Sequence, residues 1–163
     1  MSIISSKKKT LIIVSFAIIF GILVVSAVLE PLCRGNKMRL LYHIFHAINS
    51  TICHQYPPRC LQIFNSPMGL CSRCFAFYLA GLICTIGFPF LGRTQEQRPN
   101  FYFFILMIAP LTIDGSTQYL GLRTSTNILR LVTGGMAGIG TTITLLQLIC
   151  YKFCQDHFKS MEK

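Results

Sequence analysis

The chain has 163 residues, of which 52% are hydrophobic and only 12% are charged, and its mean hydropathy is +0.56. This composition lies outside the range of soluble globular proteins and inside that of membrane proteins. The net charge of +10 fits basic residues that flank membrane helices and meet anionic lipid headgroups. No soluble basic and aromatic module is left over, so we expect no nucleic acid partner. We predict one integral membrane domain over residues 1–163.

The first predicted element is a transmembrane helix over residues 11–29, a run of nineteen residues without a charge. This length matches the roughly 20 residues that cross a hydrocarbon core of about 30 Å. The lysines at 7–9 also suit a secretory signal, but the run exceeds the roughly 7–15 apolar residues of such signals and ends at Glu30-Pro31 without a small-residue cleavage site. We therefore expect a retained helix.

An amphipathic helix is predicted next, over residues 37–53. Apolar side chains recur there at alternating steps of three and four, namely Met38, Leu41, Phe45, Ile48 and Ile52. Such a helix is expected to lie flat at the membrane interface. His43, His46 and Cys53 fall on another stripe of this helix.

A cysteine-histidine cluster follows, with Cys53-His54-Gln55 and then Cys71-Ser72-Arg73-Cys74. Turns at Pro57-Pro58 and at residues 65–69 are expected to fold the second motif back onto the first. Zinc prefers four tetrahedral thiolate and imidazole ligands, so we predict a zinc site formed by Cys53, His54, Cys71 and Cys74. Two adjacent side chains reach one metal only with a distorted backbone, so Cys60, His43 or His46 is an alternative fourth ligand.

Two other interpretations of these cysteines stay open. A C-x-x-C motif lowers the pKa of one thiol, so Cys71 and Cys74 could form the exchange pair of a membrane thiol–disulfide oxidoreductase, with Arg73 stabilising the thiolate. Buried cysteines can also be small apolar residues without chemistry. We assign that role to the remaining ones, Cys33, Cys84, Cys150 and Cys154.

Residues 75–91, 101–119 and 128–151 complete four predicted transmembrane helices, so the predicted fold is an all-α membrane protein with one interfacial helix. The third span is apolar only up to Asp114, so its end is expected near the headgroups, with a bend at Pro110. Four spans place both termini on one side, with residues 30–74 and 114–127 on the other. Basic residues divide almost evenly, eight against seven. The lysines beside the first helix favour cytoplasmic termini in the cell (inner) membrane.

A second polar cluster begins at Asp114. A carboxylate at membrane depth is costly and seldom lacks a partner. Arg123, Asn127 and Arg130 share one face if the helix already runs there, and arginine donors suit a phosphate or a carboxylate. We predict ligand binding by Asp114, Gln118, Arg123, Asn127 and Arg130, with Asp114, Arg123 and Arg130 as catalytic candidates. The alternative is an Asp114–arginine pair that locks the loop, with Thr124, Ser125 or Thr126 as a helix N-cap.

Gly134 and Gly138 form a G-x-x-x-G pair in the last span. Small residues let helices approach closely. We expect packing within the bundle, and the alternative is a seam to a partner in a non-enzymatic scaffold or transporter subunit.

Together these motifs resemble a widespread prokaryotic family of small predicted integral membrane proteins with no assigned function. Its pattern is Cys-His-Gln, Arg-Ser, Cys-x-Arg-Cys before a helix, Asp-Gly-x-Thr-Gln and Arg-x-Ser-x-Asn-x-x-Arg, which residues 53–55, 59, 71–74, 114–118 and 123–130 follow in order. Cys60 stands where the family has serine, and Phe75-Ala76 replaces Thr-Gly. The resemblance implies a shared site of Cys53, His54, Cys71 and Cys74, and it implies no reaction.

The sequence thus predicts a metal site beside an Asp/Arg cluster that binds or acts on a lipid-derived or anionic ligand at the membrane surface. An enzyme would need an open metal position and a base, for which Asp114 or His54 is available. Enzyme and binding protein both stay open at this point.

Overall fold

A computed structural model describes residues 2–35, 38–90 and 98–161. These residues form five α-helices and one hairpin. The helices are α1 (Ser2–Gly35), α2 (Arg39–Ser50), α3 (Ser72–Gly87), α4 (Phe101–Tyr119) and α5 (Asn127–Met161), and the strands β1 (Cys60–Ile63) and β2 (Ser66–Cys71) lie between α2 and α3. The mostly helical fold is confirmed, and the hairpin is an element that the sequence did not predict.

Within the described residues, three helical segments are long and apolar enough to cross a membrane. They are Lys9–Arg34, Ser72–Phe90 and Asn127–Phe153, and they correspond to the predicted spans 11–29, 75–91 and 128–151. Helix α4 has the bounds predicted for the remaining span, but it is not among these three. Asp114 and the polar residues that follow it in α4 shorten the apolar part of this helix. The described residues therefore show three candidate spans, and the fourth predicted span stays a prediction.

Helix α1 carries a stripe of large apolar side chains on its outer face. Leu11, Val14, Ile18, Ile22 and Val25 are between 46% and 66% exposed, at the spacing of one helix face. Exposed apolar surface of this extent marks a surface that meets an apolar environment. This stripe is the face that we expect to contact lipid.

The glycine pair of α5 packs against α3 within the same chain. A Cβ atom at Gly134 would lie 2.2 Å from the carbonyl oxygen of Arg73, and one at Gly138 would lie 2.4 Å from that of Phe77. The two helices therefore touch backbone to backbone, which only glycine allows at these positions. Packing within the bundle is confirmed. Because α3 covers Gly134 and Gly138, these glycines are not available for contact with a partner protein.

Gly134→Ala should destabilise the protein by about 1–3 kcal/mol, because the added methyl group forces α3 away from α5. Gly135→Ala is the matched control, since a Cβ there meets nothing within 4 Å. It should be neutral or stabilising by up to about 1 kcal/mol, as alanine favours a helix over glycine. Thermal unfolding in detergent measures both variants, and equal midpoints would contradict this packing.

The turn predicted at residues 65–69 lies earlier in the chain, so that prediction was wrong in its position. Phe64 and Asn65 adopt φ angles of 49° and 60° and form a two-residue loop, as primed hairpin turns require. Ser66 pairs with Ile63, and the following residues belong to β2. These residues form a strand instead of a turn because Met68 and Leu70 pack with Ala27 and Cys53 in a small core.

The predicted amphipathic helix over residues 37–53 appears as the shorter α2. Its Asn49 is fully buried, while His43 and Ile44 are exposed. The expected position of this helix at the membrane interface stays a prediction.

Candidate functional site

Three cysteine sulfurs converge where the hairpin meets α3. The Sγ atoms of Cys53, Cys71 and Cys74 all lie within 4.8 Å of one another, and we call these residues the thiol cluster. The backbone N–H of Cys71 also donates to Sγ of Cys53 at 3.3 Å. The hairpin makes this possible, because it returns the chain from Cys53 to the start of α3. Three converging sulfurs could hold a metal ion.

Among the described residues, no fourth ligand atom joins the thiol cluster. His54 has an exposed side chain, whereas its neighbour Cys53 is buried. Cys60 is buried, and its thiol donates to the carbonyl oxygen of Tyr56 at 3.3 Å. His46 contacts Glu30 instead, with 3.0 Å between Nδ1 and the carboxylate. The structure thus gathers three of the four predicted ligands, and the role of His54 stays a prediction.

Hydrogen bonds within the thiol cluster stabilise one thiolate. The thiols of Cys71 and Cys74 donate to Cys53 and lower its pKa to about 2. The pKa of Cys71 is raised, chiefly because of its hydrogen bond with Cys53. Burial raises the pKa of Cys60 to about 12, so that residue stays a thiol. Because the thiolate is the form that ligates metals, the lowered pKa of Cys53 favours metal binding at this cluster.

Arg73 joins the thiol cluster to the second polar cluster. It lies between Cys71 and Cys74, and its guanidinium donates to Oδ2 of Asp114. Arg123 donates to Oδ1 of the same carboxylate at 2.7 Å, and Ser125 Oγ donates to Oδ2 at 3.2 Å. Asp114 is only 1% exposed. The Asp114–arginine pair, which was the alternative to a ligand site, is therefore present, and Arg73 is a second arginine that the sequence did not indicate.

The other predicted ligand-binding residues surround Arg130. Its guanidinium donates to Oδ1 of Asn127 at 2.9 Å. With its amide oxygen turned toward the donors, Gln118 accepts from Arg130 at 2.7 Å and from the backbone N–H of Ser125 at 3.1 Å. Arg130 is 7% exposed, and its Nε has no hydrogen-bond partner in the described part of the chain. A buried donor without a partner points to a missing acceptor.

The prediction that Arg123, Asn127 and Arg130 share one helix face was wrong for Arg123. Helix α5 begins at Asn127, so Arg123 lies in the preceding loop and reaches Asp114 from there. The N-cap alternative is confirmed at Thr126, whose Oγ1 accepts from the backbone N–H of Leu129 at 3.3 Å.

A cavity of about 470 Å³ opens beside this cluster, and we call it the arginine cavity. The polar and aromatic residues in its wall include Tyr56, Arg59, Gln118, Arg123, Ser125 and Arg130. Arg59 was not among the predicted binding residues, although it is part of the family pattern. Ser72 Oγ donates to the carbonyl oxygen of Arg59 at 3.0 Å, which ties this wall to the start of α3.

A buried network around Glu30 was also missed by the sequence reasoning. Asn49 donates to its carboxylate at 2.8 Å, and His46 lies 3.0 Å from the other oxygen. Gln55 Nε2 donates to the carbonyl oxygen of Gly69 at 2.9 Å, and a Cβ at Gly69 would lie 2.2 Å from Glu30. The network holds α1, α2 and the hairpin together behind the thiol cluster. The sequence feature that could have indicated this network is Glu30 itself, a charged residue directly after a run of nineteen uncharged residues.

The part of the chain that builds both clusters matches a known family. Residues 53–144 match a family described as predicted membrane protein (DUF2085). The chain belongs to this family. The uncharacterized protein MJ1492 of Methanocaldococcus jannaschii is 35% identical over 126 residues, which cover 77% of this chain and 80% of that relative. An uncharacterized protein of Methanothermobacter thermautotrophicus is 36% identical over 92 residues, 56% of this chain and 82% of that relative.

No solved structure matches the chain. The family inferred from the motifs is confirmed, and this DUF2085 member is a predicted membrane protein embedded in a lipid bilayer. The match includes the thiol cluster, Asp114 and Arg130, so the clusters lie within the part that defines the family.

Proposed function

We propose that this DUF2085 protein binds zinc through Cys53, Cys71 and Cys74 and an anionic ligand in the arginine cavity, at the membrane surface. One observation carries the proposal. Arg73 lies between two residues of the thiol cluster and bonds Asp114, which in turn binds Arg123 in the wall of the cavity. A metal that fixes the start of α3 thereby also fixes the guanidinium groups that would meet the ligand.

The charge balance around the arginine cavity supports an anion. Three guanidinium groups, those of Arg59, Arg123 and Arg130, line the cavity, and Arg130 is buried. The Asp114 carboxylate beside them pairs with Arg123 and with Arg73. Partly buried cations are costly unless a negative group pairs with them. Guanidinium donors match the oxygens of a phosphate or a carboxylate in a bidentate way. A bound anion would therefore offset the excess positive charge and give Arg130 Nε an acceptor.

Asp114 acts in this proposal as a positioning residue. Both of its oxygens already accept hydrogen bonds from arginines, so it is poorly placed to take a proton from a substrate. Its carboxylate orients Arg73 and Arg123. The proposed function is therefore binding of an anion at a site that zinc holds in place. The fourth zinc ligand is His54 or water.

The proposed arrangement in the bilayer has α4 as a fourth span. The outer face of α4 is apolar, since Phe101, Tyr102, Ile105, Leu106 and Ile113 are between 56% and 86% exposed. In an aqueous setting such a face would be unfavourable, and in lipid it is not. Four spans with cytoplasmic termini would put the thiol cluster and the arginine cavity together at the opposite surface.

Titration of the purified protein in neutral detergent with inorganic phosphate tests the anion site. Arg130→Gln should weaken phosphate binding about 10-fold to 100-fold, because a charged hydrogen bond contributes about 1.5–3 kcal/mol. Arg34→Gln is the control, since Arg34 is exposed on α1, where it donates to the Tyr42 hydroxyl. Equal affinities for both variants would refute the proposed anion site.

A further inference from the structure

A second, apolar cavity lies beside Arg73, whose guanidinium pairs with Asp114. Its volume is about 190 Å³, and its lining residues are Arg73, Cys74, Phe77, Tyr78, Leu111 and Gly134. Arg73 lines this cavity, while Arg123, which shares Asp114 with it, lines the arginine cavity. The two arginines that share Asp114 therefore connect the wall of a cationic cavity with the wall of an apolar one.

The apolar cavity lies in a cleft between two helices. Helices α3 and α4 each pack along α5 but make few contacts with each other. Phe77 and Tyr78 of α3 form one wall, Leu111 of α4 forms the other, and Gly134 of α5 lies at the floor. We call this space the α3–α4 cleft. Because α4 makes few contacts with α3, helix packing does not close the cleft between them.

We infer that the anionic ligand is a lipid that ends in a phosphate group. Its phosphate occupies the arginine cavity, and a hydrocarbon chain lies in the α3–α4 cleft, with the Arg73–Asp114 pair at the junction. This inference rests on the proposed anion site and specifies its ligand. A free phosphate would satisfy the guanidinium groups but would leave the apolar walls of the cleft without a partner.

The two parts of such a ligand match the two cavities in chemistry. A phosphomonoester carries a charge of about −1.5 to −2 and three acceptor oxygens, which suits several converging guanidinium groups. Each methylene group that leaves water for an apolar site raises affinity roughly fourfold. A phosphate-ended lipid should therefore bind measurably more tightly than phosphate alone, because its hydrocarbon chain adds to the affinity.

Three probes separate a lipid from a free anion with the full chain in neutral detergent micelles. They are dioctanoyl phosphatidic acid, inorganic phosphate and dioctanoyl phosphatidylcholine. We expect the phosphatidic acid to bind at least about tenfold more tightly than inorganic phosphate, because its chains enter the cleft. The phosphatidylcholine has the same chains without a terminal phosphate, so it should bind at least about tenfold more weakly than the phosphatidic acid.

Leu111→Trp fills the cleft and tests its role. This variant should bind phosphatidic acid about tenfold more weakly or worse, with an unchanged affinity for inorganic phosphate. Leu106→Trp is the matched control, because Leu106 lies on the same helix with its side chain 65% exposed, and it should change neither affinity. Should Leu111→Trp fail to fold, phosphatidic acids of increasing chain length on the unaltered protein give the same information, since affinity should rise with length.

Some outcomes would overturn the inference and leave the anion site intact. Inorganic phosphate that binds as tightly as phosphatidic acid would do so, as would equal lipid affinities of the two tryptophan variants or an affinity that is independent of chain length. If the unaltered protein binds neither phosphate nor phosphatidic acid, the proposed anion site fails as well.

Discussion

Cys53→Ser, Cys71→Ser and Cys74→Ser should each lower the bound zinc from about one ion per protein to nearly none. Each change removes one of the three sulfurs that lie within 4.8 Å of one another, and two thiolates hold zinc far more weakly than a complete set. Metal analysis of the purified variants measures the effect, with thiol counting on the same samples.

Cys60→Ser and Cys84→Ser are the controls for this series and should retain zinc. Cys60 is a buried thiol that bonds the Tyr56 carbonyl, and Cys84 lies further along α3, outside the thiol cluster. His54→Ala decides the fourth position, because loss of zinc would assign it to His54 and retained zinc would assign it to water. A metal-free protein in which Cys71 and Cys74 cycle between thiols and a disulfide would instead support the oxidoreductase alternative.

Asp114→Ala should destabilise the protein by about 3–5 kcal/mol, the cost of breaking a buried ion pair by removing one partner. The change leaves the guanidinium groups of Arg73 and Arg123 facing each other without the carboxylate that both bind. Thermal unfolding in detergent should show a large loss of stability.

A single variant and a charge-neutral double variant separate this effect from simple loss of packing. Asp114→Asn leaves two arginines unpaired, whereas Asp114→Asn combined with Arg73→Gln removes one positive charge along with the negative one. The double variant should therefore recover part of the stability lost in the single variant. Arg73→Gln alone completes the cycle. If the double variant loses as much stability as the two single variants together, the Arg73–Asp114 contact does not stabilise the fold.

The helices were predictable from the sequence because their signals are local and long. The apolar run before Asp114 indicated the first thirteen residues of α4. Asn100 begins that helix by accepting hydrogen bonds from the backbone N–H groups of Tyr102 and Phe103 at 3.1 and 3.4 Å. The hairpin was not predictable in the same way. Its strands have four and six residues, and its loop uses Phe64-Asn65 in place of a glycine-containing turn.

The site was predictable only in its residue types. Spacing and turns indicated that Cys53, Cys71 and Cys74 meet, since all three lie in one loop region. The contact of Arg73 with Asp114 joins residues 41 positions apart on two different helices, and it depends on how both helices pack on α5. No local pattern encodes such a contact. The contacts that stabilise the Cys53 thiolate also depend on the folded structure. They come from the backbone N–H of Cys71 and from the neighbouring thiols.

X-ray absorption at the zinc edge of the purified protein tests the central claim most directly. The convergence of Cys53, Cys71 and Cys74 predicts a first shell dominated by sulfur at about 2.3 Å, with about three sulfurs and one nitrogen or oxygen at about 2.0–2.1 Å. Absence of zinc, or a shell of nitrogen and oxygen without sulfur, would contradict a metal site at the thiol cluster.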